Sequence, residues 1–180
     1  KVPRPDGRNE NNHKIPCAGT LNSKNVELPI PPYLLGLWLG DGSSHGPRLT
    51  CGDIDLSEIA NAVKKEIGHD ISISRQPGKS ATINISDGIK DRTKDCLQKI
   101  LKSEDLFENK HIPEIYFNSG TEQRWALLQG LMDTDGTVTK CAGRTTPRCS
   151  FTSTKEPLAF GMWRLARSLG LKATISRRKA

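Results

Sequence analysis

An α+β chain built from two related halves is the fold this sequence predicts, and three observations carry that expectation. Two short apolar stretches each end in an acidic residue followed by glycine: Leu34-Leu35-Gly36-Leu37-Trp38-Leu39-Gly40-Asp41-Gly42 and Leu128-Gln129-Gly130-Leu131-Met132-Asp133-Thr134-Asp135-Gly136. After the first come a strand, a helix, two alternating strands and another helix, read from the hydrophobic period. After the second, part of that order returns.

Residues 1–30 are rich in Pro, Asn, Lys and Gly without periodicity and read as a linker or extended arm. Prolines 29, 31 and 32 cannot sit inside a helix, but one fits a first turn. The first apolar helix is therefore expected to start near Pro32 and stop near Gly40. A polar loop over 43–47 leads to a strand over 48–51. Leu56, Ile59, Ala60, Val63 and Ile67 recur at helical spacing before the stop signal Gly68. Residues 71–74 and 82–85 alternate around the turn Gln76-Pro77-Gly78-Lys79 and form a hairpin. Asp87-Gly88 opens a helix with Ile89, Thr93, Cys96, Leu97, Ile100 and Leu101 on one face.

Ser119 with Glu122 resembles a capping box for the second apolar helix. Residues 137–138 and 150–152 read as hairpin strands around a basic tip of Lys140, Arg144 and Arg148. Pro157 starts a helix whose Leu158, Gly161, Met162, Leu165, Ala166 and Leu169 make one stripe, ended by Gly170. A strand over 173–176 matches 71–74. The expected division is an arm over 1–30, a first half over 31–120 and a C-terminally incomplete second half over 121–180. A partner strand, a helix and a second lysine are expected beyond residue 180, with Lys179 arriving too early to be that lysine.

Gly36 and Gly40 share one helix face, as do Gly130 and Thr134. Small residues at that spacing let two backbones approach, which would bring Asp41 and Asp135 together. Adjacent carboxylates repel unless a cation lies between them. Mg2+ takes oxygen ligands and shares substrate phosphates, and paired metals support in-line phosphodiester hydrolysis. A single apolar nonamer ending in Asp-Gly is most often a core helix followed by a turn; two copies with the same internal order weaken that alternative. Asp133 reads as a helix-end group, because its counterpart is Leu39.

The chain of 180 residues carries a net charge of +7, which fits a polyanionic partner, most simply nucleic acid. Apolar content is 34%, and no run approaches the roughly 20 residues of a membrane helix. No secretory signal is visible. The five cysteines show no C-x-x-C spacing, so a reduced cytoplasmic or nuclear setting is expected and a zinc site is disfavoured. His45, His69 and His111 are not read as metal ligands.

The two nonamers resemble the paired motifs of LAGLIDADG homing endonucleases, and the Leu-Trp-Leu-Gly-Asp-Gly ending is most similar to the intein-encoded branch. Lys110-His111-Ile112-Pro113 resembles the Lys-x-Ile-Pro block of that branch, and Leu165-Ala166-Arg167-Ser168-Leu169-Gly170-Leu171 resembles the helix after its second motif. The likeness runs from about residue 31 to 176. It implies a pseudo-two-fold fold of αββαββα-type halves packed through the motif helices. It further implies a monomer that cuts both strands of a long specific DNA site, leaving short 3′ overhangs. Asp41 and Asp135 would bind Mg2+, with Mn2+ as the expected substitute, beside the carbonyls of Gly40 and Thr134. Lys110 would be a catalytic cation, and metal with ordered solvent would activate the water.

Two strand saddles would lie over the major groove, with base edges and phosphates read from the strands and loop tips. The expected contacts are Arg48, Arg75, Lys79, Asn84, Lys140, Arg144, Arg148, Arg177 and Arg178, with Ser72, Ser74, Thr82, Ser150, Thr152 and Thr174 on the same strands. Arg75, Arg177 and Arg178 are expected at strand ends. Self-splicing is not supported by these residues, so an intein parent would carry its splicing domain in cis, outside 1–180. The alternatives are a non-cleaving maturase or transcription-factor relative, and a degenerate, inactive intein endonuclease.

Overall fold

The computed structural model describes residues 2–3, 5–10, 16, 18–85, 96–140, 143 and 146–178. It is a mixed α/β arrangement around the two helices that carry the apolar stretches. The core lies where those helices, the first sheet and the last helix converge.

A short bridge, β1 (Val2–Pro3) with β2 (Asn9–Glu10), precedes residues 18–31, which carry no helix or strand. Helix α1 (Pro32–Asp41) starts at the expected proline and runs one residue past Gly40. Strand β3 (Arg48–Cys51) and helix α2 (Leu56–Ile67) follow, and Gly68 ends α2 at φ +73°. β4 (Ser72–Ser74) and β5 (Ala81–Asn84) form the expected hairpin, and β5 also pairs with β3. The sheet order β3-β5-β4 thus puts the last strand in the middle. Burial alternates along β3 and β5, with Leu49, Cys51, Ala81 and Ile83 on the core face.

Helix α3 (Leu97–Ser103) is the described part of the helix expected from Asp87-Gly88; residues 86–95, with Ile89 and Thr93, lie outside the described residues. A one-turn helix α4 (Glu114–Phe117), which the pattern did not suggest, leads into α5 (Thr121–Asp135). β6 (Gly136–Thr139) and β7 (Arg148–Phe151) form a two-stranded hairpin. Helix α6 (Glu156–Ser168) buries the expected stripe from Leu158 to Leu169.

Two local expectations are corrected. The cap of α5 is Gly120, not Ser119: the Gly120 N–H donates to the Gln123 side chain at 3.0 Å, while the Ser119 hydroxyl turns back to Tyr116 O at 2.8 Å. Residues 173–176 are not a strand. In the first sheet β4 draws its ladder bonds from β5, and no described strand offers 173–176 the same edge.

The most extensive contact between elements is α1 on α5. A Cβ on Gly36 would meet Leu127 O at 2.6 Å and Leu131 N at 2.8 Å, and one on Gly130 would meet Tyr33 O at 2.3 Å. A Cβ on Gly40 would fall 1.9 Å from Thr134 Oγ1. Gly36 faces Gly130 and Gly40 faces Thr134, so the helices run side by side in the same direction and their acidic ends share one end of the pair.

The arm is tied to the body through a buried arginine. Arg124 is fully buried; it donates from Nε to Ser119 O at 3.0 Å, from Nη1 to Ser168 O and Ser168 Oγ at 2.8 Å each, and from Nη2 to Leu21 O. Gln123 pairs with both backbone groups of Val26, and the Tyr116 hydroxyl accepts from Ile30 N and donates to Ile30 O.

The helix contact predicts a sharp contrast between glycines. Gly130→Ala is expected to lower stability by about 3 kcal/mol, because backbone cannot yield to the new methyl. Gly52→Ala, where nothing lies within 4 Å, is expected to stay within ~0.5 kcal/mol. Urea unfolding of the two variants checks this.

Candidate metal and nucleic-acid site

A carboxylate at a helix C-terminus is unfavourably placed, because the last carbonyls already carry partial negative charge. Here two such ends stand together. Burial, and next the charge of Asp135, push the Asp41 carboxyl above its usual value; Lys110 pulls it back. Burial pushes Asp135 up as well, again opposed by Lys110. The arrangement concentrates negative potential that a cation would relieve.

Lys110 is the cation already there. It is 8% exposed, and its Nζ donates to Gly40 O at 2.9 Å and Gly42 O at 2.7 Å. The ammonium lies 5.3 Å from the centroid of the Trp38 ring. Burial pulls its pKa down, and Asp135 and Asp41 push it up. A solvated surface lysine is therefore not what the fold makes of this residue. The slot is built by Trp38, whose Nε1 donates to Gly46 O at 3.0 Å and whose ring meets Phe107.

The Thr134 hydroxyl bonds back within its own helix, to Leu131 O at 3.0 Å and Gly130 O at 3.2 Å. Asp133 accepts from the Tyr33 hydroxyl at 2.8 Å across the helix pair; its counterpart Leu39 is buried. A pocket of about 70 Å3 beside Asp41 is lined by β3, Asp55, Ile59, Asp133 and Thr134. Among the described residues, no group of three or more His, Cys, Asp or Glu is placed to hold a metal ion. His45 pairs with Glu108 at 3.5 Å, and His69 and His111 bond neighbouring carbonyls.

The first sheet lines up its polar face by register. Arg48, Asn84 and Ser72 stand abreast, and Thr50, Thr82 and Ser74 form the next row. Asn84 donates to Ser74 at 3.2 Å. Thr50 belongs to this face and was missed; the alternation along 48–51 was the signal that could have found it. Arg75 and Lys79 flank the β4–β5 turn, where an open cavity of about 530 Å3 also meets Asp53. On the second hairpin Thr139 pairs with Arg148 and Thr137 with Ser150. Lys140, Thr152, Thr174 and Arg178 are exposed, and Arg144 lies outside the described residues, as does Lys179. Arg177 and Arg178 do not end a strand, and Arg177 is paired with Glu156 on α6. Arg124 and Tyr33 were not singled out from the sequence. A lone arginine within an apolar helix pattern was the available signal for the first.

The family model described as a LAGLIDADG-like domain matches residues 122–180. The chain is 33% identical over 168 residues to a replicative DNA helicase DnaB of Mycobacterium intracellulare, covering 93% of this chain and 24% of that protein. It is 30% identical over 166 residues to the homothallic switching endonuclease of Saccharomyces cerevisiae, covering 82% of this chain and 28% of that protein. The chain thus spans about a quarter of the length of these relatives. No helix among the described residues is long and apolar enough to cross a membrane.

The crowded carboxylates predict a pH signature. A folded-state pKa above the ordinary aspartate value means that ionising Asp41 weakens the fold: its contribution is full below the unfolded pKa and is lost as pH rises through the folded one. In EDTA at pH 7, Asp41→Asn is expected to melt higher than the unsubstituted protein. The gap should close as the pH falls below about 4. Melting curves across that range check it.

Proposed function

We propose that this chain, whose residues 122–180 match the LAGLIDADG-like domain model, is a member of that family and a site-specific homing endonuclease making a Mg2+-dependent double-strand cut in DNA. The observation that carries the proposal is the glycine contact between α1 and α5, which sets two carboxylates at one end of a parallel pair. The donor set fits the ion. Two carboxylates and helix-end carbonyls are hard oxygen ligands, and Mg2+ completes its shell with water and substrate phosphate oxygens rather than with further side chains.

In this reading Asp41 and Asp135 hold the metal, with the carbonyls of Gly40 and Thr134 beside them, and the two halves are related by a pseudo-two-fold axis between α1 and α5. Bound Mg2+ would supply charge neutralisation at the scissile phosphate and a more acidic water. The chain's own residues do the rest. Lys110 adds positive charge where negative charge develops. The outward rows Arg48–Asn84–Ser72 and Thr50–Thr82–Ser74 read base edges, and Arg75, Lys79, Lys140, Arg148 and Arg178 hold phosphates. Arg144 and Arg177 complete the basic set, Arg177 after leaving Glu156.

The intein setting is supported by coverage. The same stretch matches a quarter of a protein named as a helicase and a quarter of one named as an endonuclease. A segment shared by proteins of different named activity is what an inserted module looks like. The first DNA to try is therefore an uninterrupted gene for a replicative helicase of this kind. A non-cleaving nucleic-acid-binding protein is the second reading; retention of both aspartates disfavours it.

Incubation with a plasmid bearing that gene is expected to give linear product with Mg2+ and none in EDTA. Asp41→Asn is expected to lose at least ~100-fold in rate; salt-sensitive binding without nicking by the intact protein would favour the second reading. Affinity measured by gel shift should fall by about 10³-fold or more between 50 and 200 mM salt if six or more phosphates are held.

A further inference from the structure

Lys110 reaches the chain on both sides of Asp41. Its Nζ donates to Gly40 O at 2.9 Å and to Gly42 O at 2.7 Å, so two of the three N–H donors of an ammonium are committed to carbonyls. The residue is 8% exposed and the charge sits against the Trp38 ring. An ammonium held in this way has only one N–H left for a group outside the protein. It does what a metal ion would do: it joins a helix-end carbonyl to the residue just past the carboxylate and offsets the charge of both aspartates.

The Gly40 carbonyl is also one of the oxygens the proposed metal site requires. A divalent ion and an ammonium sharing that one oxygen would stand close enough to repel strongly. We propose that Lys110 is a built-in placeholder for the divalent cation, bridging the Gly40 and Gly42 carbonyls in the metal-free protein and giving up Gly40 when the ion is taken up. Metal loading and presentation of the lysine toward the DNA are then one coupled event, and in the metal-free protein Lys110 is a positioning residue for Asp41. The proposal rests on the reading of Asp41 and Asp135 as metal ligands.

The coupling has a reciprocal signature. As far as the ion weakens the Lys110–Gly40 contact, that contact weakens binding of the ion, so removing Lys110 must tighten it. The test labels lysines of the intact protein with an acylating reagent, in EDTA and in Mg2+, and reads Lys110 by mass spectrometry. Mg2+ titrations by calorimetry on the unsubstituted protein, Asp41→Asn, Lys110→Met and Lys155→Met run beside it. Lys155 is the control, a lysine whose charge is felt at Lys110.

The expected result is labelling of Lys110 about fivefold faster or more in Mg2+, with Mg2+ binding ~10-fold tighter in Lys110→Met and changed less than about twofold in Lys155→Met. Equal labelling with and without Mg2+, in a protein that binds the ion in an Asp41-dependent way, overturns the placeholder and leaves the metal site standing. Equal tightening in both lysine variants overturns it too, as a plain effect of net charge. Absence of Asp41-dependent binding overturns the metal site and the placeholder together. The labelling arm uses the unsubstituted protein, so a poorly folding Lys110→Met leaves the test decisive.

Discussion

Backbone meets backbone where α1 lies on α5. With Gly36 against Gly130, no side chain separates the two main chains, and a single added carbon at either position would fall within van der Waals contact of carbonyl oxygen or amide nitrogen. Such close approach fixes the helices along their axes as well as across them, because neighbouring turns must interlock. The position of Asp41 relative to Asp135 therefore follows from the middle of the helices rather than from their ends. Thr134, packed against Gly40, keeps the spacing at the acidic end.

That packing creates an electrostatic problem which the rest of the site addresses. Two helix C-termini and two carboxylates converge, and each carboxyl is held above its usual value chiefly by burial. Lys110 answers with a buried ammonium on the carbonyls flanking Asp41. The lysine itself is costly to bury, as its lowered pKa reflects, and it is sheltered by Trp38, which the first apolar stretch supplies. Helix packing, the aromatic slot and the charge arrangement thus depend on one another.

The opposite end of α5 is held by different chemistry. Arg124 is buried with carbonyl and hydroxyl partners and, among the described residues, no carboxylate in its hydrogen bonds. Burial lowers its pKa. The C-terminal carbonyl of Ser168 on α6 is a favourable partner for it, since a helix C-terminus attracts positive charge. Through Leu21, Val26 and Ile30 the arm is drawn across α5 and α4, so residues 18–30 brace the helix that carries Asp135.

Local pattern was enough for much of this. Periodicity located α1, α2, α5 and α6, the stop at Gly68 and both hairpins, because each is specified by residues close in the chain. The repeated glycine-to-aspartate spacing pointed to two helices in contact, and the Lys-x-Ile-Pro block pointed to Lys110. Neither the capping of α5 by Gln123 nor the irregular course of 173–176 was legible, since a capping partner and a ladder edge are decided by what lies alongside. Sequence by itself determined which residue types are present at which period, and hence the pair of acidic helices and the polar strand faces. Only the tertiary structure decided that Lys110 bonds the Gly40 and Gly42 carbonyls, that Arg124 clasps the arm and that Arg177 turns to Glu156. Those contacts join residues between 21 and 103 positions apart, where no local spacing rule reaches and only packing selects the partner.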